Sequence, residues 1–235
     1  MLITANDCAA RVPEGIRDTL PLVVLAGGAP DELEDIAAAM EHPAVLAALP
    51  VADWNAELAP WPAPGLRAGQ SVGGGAERTL ARLDELCARL DELLPERGIR
   101  ASARLLAGYS LGGLCALWMA TRRSGFEGVG TMSGSLWYEG LCEYLAAHPA
   151  HVRYAYLSLG DREPRARDPR LARVGEGTQT VYELLRRAGI DACFEWNGGN
   201  HFADVPLRIA RGADWLCARA AAHSAPVSAA GGPKG

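Results

Sequence analysis

"LLAGYSLGGLCALW" (residues 105–118) passes from an apolar run through Gly108-Tyr109-Ser110-Leu111-Gly112-Gly113 straight into apolar residues at helical spacing. The pattern reads as a buried strand, a tight turn and a buried helix. In that setting a Gly-x-Ser-x-Gly turn holds the serine in a strained backbone, and the glycines leave room where a larger side chain would strike the neighbouring strand or helix. The hydroxyl then stands above the carboxyl ends of the strands, beside a helix amino terminus whose N–H groups face an anion. A serine hydroxyl is a poor nucleophile until a base removes its proton, so Ser110 needs partners elsewhere in the chain.

The flanking sequence supplies the framework. Strand-length apolar runs, "LPLVVLAGG" (20–28), "VLAALPVAD" (45–53), "RLLAGYS", "FEGVGTMSGS", "VRYAYLSLG" (152–160) and "DACFEWNGG", alternate with longer segments at helical spacing. This alternation predicts a mostly parallel sheet covered by helices on both faces. In residues 76–97, Leu80, Leu83, Cys87, Leu90 and Leu94 fall on one stripe with charges opposite, an amphipathic helix. "GTQTVYELLRRAG" is a helix stopped by Gly189, and "ADVPLRIARGADWLCARAAA" is a last helix. The expectation is a single domain over residues 1–222, followed by a Pro/Gly-rich tail (223–235) expected to be disordered.

Partners for Ser110 follow in the order that hydrolases of this topology use: serine, acid, histidine. After the strand ending at Gly160 come Asp161, Glu163 and Asp168. Many hydrolases place the acid in a Gly-x-x-acid turn here, a likeness that selects Glu163, with Asp161 as the alternative and Asp168 a more distant third. His201, in "FEWNGGNH", directly follows the last strand, where a base hangs over the sheet towards Ser110. For the oxyanion, Leu111 offers one backbone N–H, and the loop "LAGGAPDE" offers a second from Gly28 or Ala29.

Composition narrows the remaining classes. With 49% apolar residues in 235, the chain can bury a sizeable core. A net charge of -5 disfavours nucleic acid, which is bound by basic surfaces. Six scattered cysteines form neither a CxxC pair nor a zinc pattern, and they read as reduced thiols of a cytoplasmic protein. No stretch has the roughly 18 apolar residues of a membrane span, and "MLITANDCAARVPEG" lacks the features of an export signal. No metal or organic cofactor is expected.

The motifs "AGYSLGG", "SGSLWY", "SLGDREP" and "GGNHF" resemble the putative-esterase branch of the α/β-hydrolase superfamily, which includes esterase D-like and ferric enterobactin esterase-like hydrolases. The resemblance spans most of residues 20–217. It implies a three-layer α/β-hydrolase sandwich and triad roles for Ser110, His201 and Glu163 or Asp161. The chain departs from the branch in having "AGGA" where many esterases carry a His-Gly pair. Its amino terminus is also short for the full set of leading strands, which sets the expected sheet at about six or seven strands. Between the strands near Ser135 and Val152 there is no room for a large cap domain. The site is therefore expected to be open, with Trp54, Trp61, Trp137 and Tyr138 as apolar walls; Trp61, Trp137 and Tyr109 are the candidate substrate-binding residues. The implied activity is hydrolysis of a small-molecule carboxylic ester through an acyl-enzyme. An acyltransferase using the same acyl-enzyme, or a binding protein on a hydrolase scaffold, is the alternative. Sequence is silent on oligomeric state.

Overall fold

A computed structural model describes residues 2–5, 8–65 and 71–224. The chain opens with β1 (Leu2–Ala5) and β2 (Cys8–Arg11), then β3 (Thr19–Ala26), α1 (Leu33–Ala39) and β4 (Val45–Leu49). After α2 (Trp54–Glu57) and the paired short strands β5 (Ala63–Pro64) and β6 (Ser71–Val72) comes the long helix α3 (Ala76–Leu93). The second half runs β7 (Arg100–Tyr109), α4 (Leu111–Arg122), β8 (Gly128–Met132), α5 (Leu141–Ala147) and β9 (Tyr154–Gly160). It ends with α6 (Pro169–Ala172), α7 (Val174–Arg187), β10 (Asp191–Asn197) and α8 (Val205–Ser224).

One sheet runs through the molecule in the order β1-β2-β4-β3-β7-β8-β9-β10. The six strands from β4 to β10 in that order are parallel, as the apolar runs implied. β1 and β2 add an antiparallel hairpin at the β4 edge, so the leading segment, read as short for the full set of leading strands, brings the count to eight rather than six or seven.

Alternation along each strand divides the core into two layers. Leu22, Val24 and Ala26 of β3 face α3, α4, α5 and α7, whereas Val23 and Leu25 face α1 and α8. Because both faces are covered, β4, β8 and β9 are buried along their whole length, which is why they read as mainly apolar runs, interrupted only by Thr131 in β8 and Ser158 in β9. Helix α4, buried from Leu111 to Thr121, packs against the centre of the sheet. Helix α3 buries Leu80, Leu83 and Leu90 of the expected stripe, but Leu86 takes the inner position and Cys87 is only half-buried.

The connection from β8 to β9 holds only the two-turn α5, with no cap over the strand ends. Sheet growth reverses after β4: the chain goes from β3 to one side, then crosses by α3 to β7 on the other. Open α/β sheets bind ligands at such a switch point, outside the carboxyl ends of the strands, and Ser110 follows β7 at that place. Helix α8 continues through His223 and Ser224, two residues into the segment read as tail; the rest of that segment lies outside the described residues. Among the described residues, no helix is long and apolar enough to cross a membrane.

Gly189 ends α7 as the sequence implies. At φ +81° it lets Ile190 N–H reach Leu185 O at 3.1 Å and donates its own N–H to Arg186 O at 3.0 Å, so two helix-end carbonyls are satisfied. A Cβ at this position would meet nothing within 4 Å, so only the backbone cost remains. Gly189→Ala should therefore lower unfolding stability by about 1–2 kcal/mol in urea denaturation, without changing the fold's spectroscopic signature.

Candidate active site

The turn between β7 and α4 works because its glycines have no side chains. A Cβ on Gly108 would lie 2.3 Å from the Gly112 carbonyl, and one on Gly112 would lie 2.2 Å from Ala26 O. Helix α4 thus starts directly against β3 and β7, and Ser110 takes φ +56°, ψ -122°. The surroundings over-determine that strained backbone: Ser110 N–H donates to Met132 O at 3.1 Å, and its carbonyl accepts from Ser135 N–H at 2.9 Å.

Ser110 Oγ lies 3.0 Å from His201 Nε2, and His201 Nδ1 lies 2.7 Å from Glu163 Oε2. A carboxylate accepts, so Nδ1 carries the ring proton and Nε2 is left to accept from the serine hydroxyl. The loop after β10 holds this imidazole in place, because Tyr109 Oη donates to His201 O at 2.7 Å.

Glu163 stands on a 3-10 turn (Glu163–Arg165) that follows β9, with its side chain 5% exposed. Its second oxygen, Oε1, accepts from Ser133 Oγ (2.7 Å), Gly160 N–H (2.8 Å) and Arg208 Nη1 (3.3 Å). Burial alone pushes the carboxyl up. Hydrogen bonds from His201, Ser133 and Gly160, with the charge on His201, outweigh it and hold Glu163 below the usual carboxylate range.

Arg208 is 1% exposed. Its guanidinium also donates to Ser133 Oγ (3.1 Å), Tyr109 Oη (3.2 Å) and Gly198 O (2.9 Å), so one buried cation joins the acid, the elbow strand and the histidine loop. Neither Arg208 nor Ser133 is singled out as a site residue in the sequence, although both lie in segments it marks. The available signal is register: positions 208, 212, 216 and 220 form a buried row on α8, and an arginine in such a row needs a buried partner.

The two other acids serve the loops. Asp161 Oδ1 accepts from Gly199 N–H at 2.8 Å, tying the acid turn to the histidine loop, and Asp168 caps α6 through Arg170 N–H at 2.8 Å.

Of the expected oxyanion donors, Leu111 is the first residue of α4, so its N–H has no intrahelical partner, and it lines the cleft. Gly28 and Ala29 are a correction. Gly28 N–H is taken by Leu25 O (3.0 Å) and Ala29 N–H by Glu32 Oε2 (3.1 Å), because "GGAPDE" closes on itself as a capped turn.

The cleft at Ser110 has a volume of about 860 Å³ and is walled by Trp54, Trp137, Tyr138 and Phe202, together with Leu171 and Val174. Trp61 and Tyr109, two of the expected substrate-binding residues, are not among its lining residues. Trp61 packs against Tyr138 and Tyr144 and donates to Glu139 O (2.9 Å), whereas Tyr109 braces His201 from below. Trp54, also expected as a wall, does line the cleft, carried there by α2, whose first turn Asp53 caps through Asn55 and Ala56 N–H.

No curated protein matches the chain in sequence. In structure it is similar to the siderophore hydrolase EstA from Aspergillus nidulans (TM-score 0.70, 18% identity, 93% of each chain covered). It is also similar to the enterobactin esterase FES from Shigella flexneri (TM-score 0.59, 20% identity, 92% of this chain and 58% of that one). A brefeldin A esterase, a bacterial homologue of human hormone sensitive lipase, superposes with TM-score 0.58 at 17% identity, covering 94% of this chain and 76% of that one. At these identities the likeness is one of fold, the α/β-hydrolase sandwich. The family model described as "Putative esterase" matches residues 27–187, more than half of the chain, and the protein therefore belongs to that esterase family.

Proposed function

We propose that this esterase-family protein hydrolyses small carboxylic esters through a Ser110 acyl-enzyme, with His201 as general base and acid and Glu163 as the residue that orients it. The observation that carries the reading is the unbroken path from Ser110 Oγ to His201 (3.0 Å) and on to Glu163 (2.7 Å). His201 Nε2 takes the hydroxyl proton as Oγ attacks the ester carbonyl carbon. Glu163, held ionised, stabilises the imidazolium that forms. The carbonyl oxygen becomes an oxyanion beside Leu111 N–H and the amino terminus of α4. When the tetrahedral intermediate collapses, the alkoxide leaves with the proton from Nε2; water, deprotonated in turn by His201, then releases the acid and restores Ser110. Cys87, Cys115, Cys142, Cys193 and Cys217 are free thiols, which supports the cytoplasmic, reducing setting expected from the sequence.

The reading is tested by labelling with a fluorophosphonate probe alongside turnover of p-nitrophenyl acetate. Wild type should label and turn over, whereas Ser110→Ala should do neither; a folded Ser110→Ala protein that still labels overturns the assignment. Glu163→Gln should lower kcat on the order of 10³-fold or more by weakening the hold on the imidazole, while Asp161→Asn should change it little. The reverse pattern would make Asp161 the acid. Arg208→Met should destabilise the fold by about 3–5 kcal/mol in urea unfolding, because it leaves the Glu163 charge buried without its cation, and Arg208→Lys should recover part of that loss.

A further inference from the structure

The turn that carries Glu163 also places three arginines on the cleft. In a 3-10 turn, residues three apart eclipse one another, so Arg162 and Arg165 share a face while Glu163 falls on another. Glu163 accordingly points inward to His201, and Arg162, Arg165 and Arg167 are exposed and line the cleft around Ser110. The turn is firmly held: Arg162 N–H donates to Gly199 O (3.1 Å), Arg165 N–H to Arg162 O (3.1 Å), and Gly199 N–H to Asp161 (2.8 Å).

Elsewhere on this surface arginines find carboxylates: Arg89 pairs with Glu92 (2.8 Å), Arg122 with Glu77 (3.0 Å) and Arg123 with Asp84 (2.7 Å). Among the described residues, no carboxylate lies within 4.0 Å of the side-chain nitrogens of Arg162, Arg165 or Arg167. The one acid lining the cleft, Glu163, already has its oxygens engaged by His201, Ser133, Gly160 and Arg208. A chain with net charge -5 thus turns an uncompensated positive rim towards Ser110. Beside it stand apolar surfaces that also lack cover, with Trp54 39% and Phe202 83% exposed.

We infer that the substrate is an ester bearing a free carboxylate on one arm, recognised by this arginine rim while Trp54 and Phe202 take an apolar portion. The inference rests on the esterase reading above. Arginine pairs with carboxylate through paired, charge-assisted hydrogen bonds, and at an open cleft such recognition weakens with salt.

The test uses two matched ester pairs that differ in one carboxylate: mono-p-nitrophenyl glutarate against p-nitrophenyl valerate, and 3-carboxyphenyl butyrate against phenyl butyrate. In at least one pair, wild type should prefer the charged member by about tenfold or more in kcat/KM at low ionic strength, and the preference should shrink with added salt. The Arg162→Gln/Arg165→Gln/Arg167→Gln variant should lose at least tenfold of that preference, expressed as a ratio so that general damage cancels. Arg89→Gln, on the far surface of α3, should retain it. A wild type that turns over the neutral esters with no preference in either pair overturns the carboxylate proposal alone, as does a triple variant that keeps the ratio. A folded wild type that hydrolyses none of the four overturns the esterase reading with it.

Discussion

A helix can leave a buried parallel strand without an intervening loop only where the two backbones touch, and here they touch through hydrogen atoms alone. Gly108 lies against the Gly112 carbonyl, and Gly112 against Ala26 O, at separations that a Cβ would reduce to 2.3 and 2.2 Å. Much of the site follows from that contact. It forces the positive φ of Ser110, sets the direction of the hydroxyl, and brings the first free N–H of α4 beside it. It also seats α4, the most completely buried helix, on the middle of the sheet. The same glycine spacing therefore serves both packing and the proposed chemistry.

The second organising element is electrostatic. A carboxylate as buried as Glu163 is tolerable only with both oxygens engaged, and its four partners come from the residue after β8, the end of β9, the loop after β10 and α8. Arg208 carries an equal obligation as a buried cation and meets it through Glu163, Ser133, Tyr109 and Gly198. Neither charge is stable there without the other. Asp161, exposed on the same turn, has no such requirement and is free to pin the loop backbone.

The parts of this arrangement that sequence displays are those in which side-chain chemistry repeats at a period or a motif names the turn. β3, β4, β8 and β9 are legible because a strand covered on both faces is apolar at most positions, and α3 because only one face is covered. Ser110, Glu163 and His201 are legible by their places after successive strands. The hairpin of β1 and β2 is not, since four-residue strands are too short to show a period of two. Gly28 and Ala29 mislead because backbone donors leave no side-chain trace, and nothing in "GGAPDE" announces that Glu32 folds back onto Ala29. Trp61 misleads for a similar reason: of the two tryptophans expected as walls after β4, only Trp54 lines the cleft, and which one does so depends on packing in three dimensions.

The order of these groups along the polypeptide has a consequence for synthesis. The elbow is complete once β8 has emerged, but the acid lies thirty residues further on, the imidazole lies beyond β10, and the cation that neutralises the acid arrives only with α8. Until His201 has been added, a nascent chain holds a serine with no base to activate it, and until Arg208 has been added, its Glu163 has no buried cation. On the proposed mechanism, a product that stops short of His201 is chemically silent, and α8 then supplies the cation that neutralises the acid.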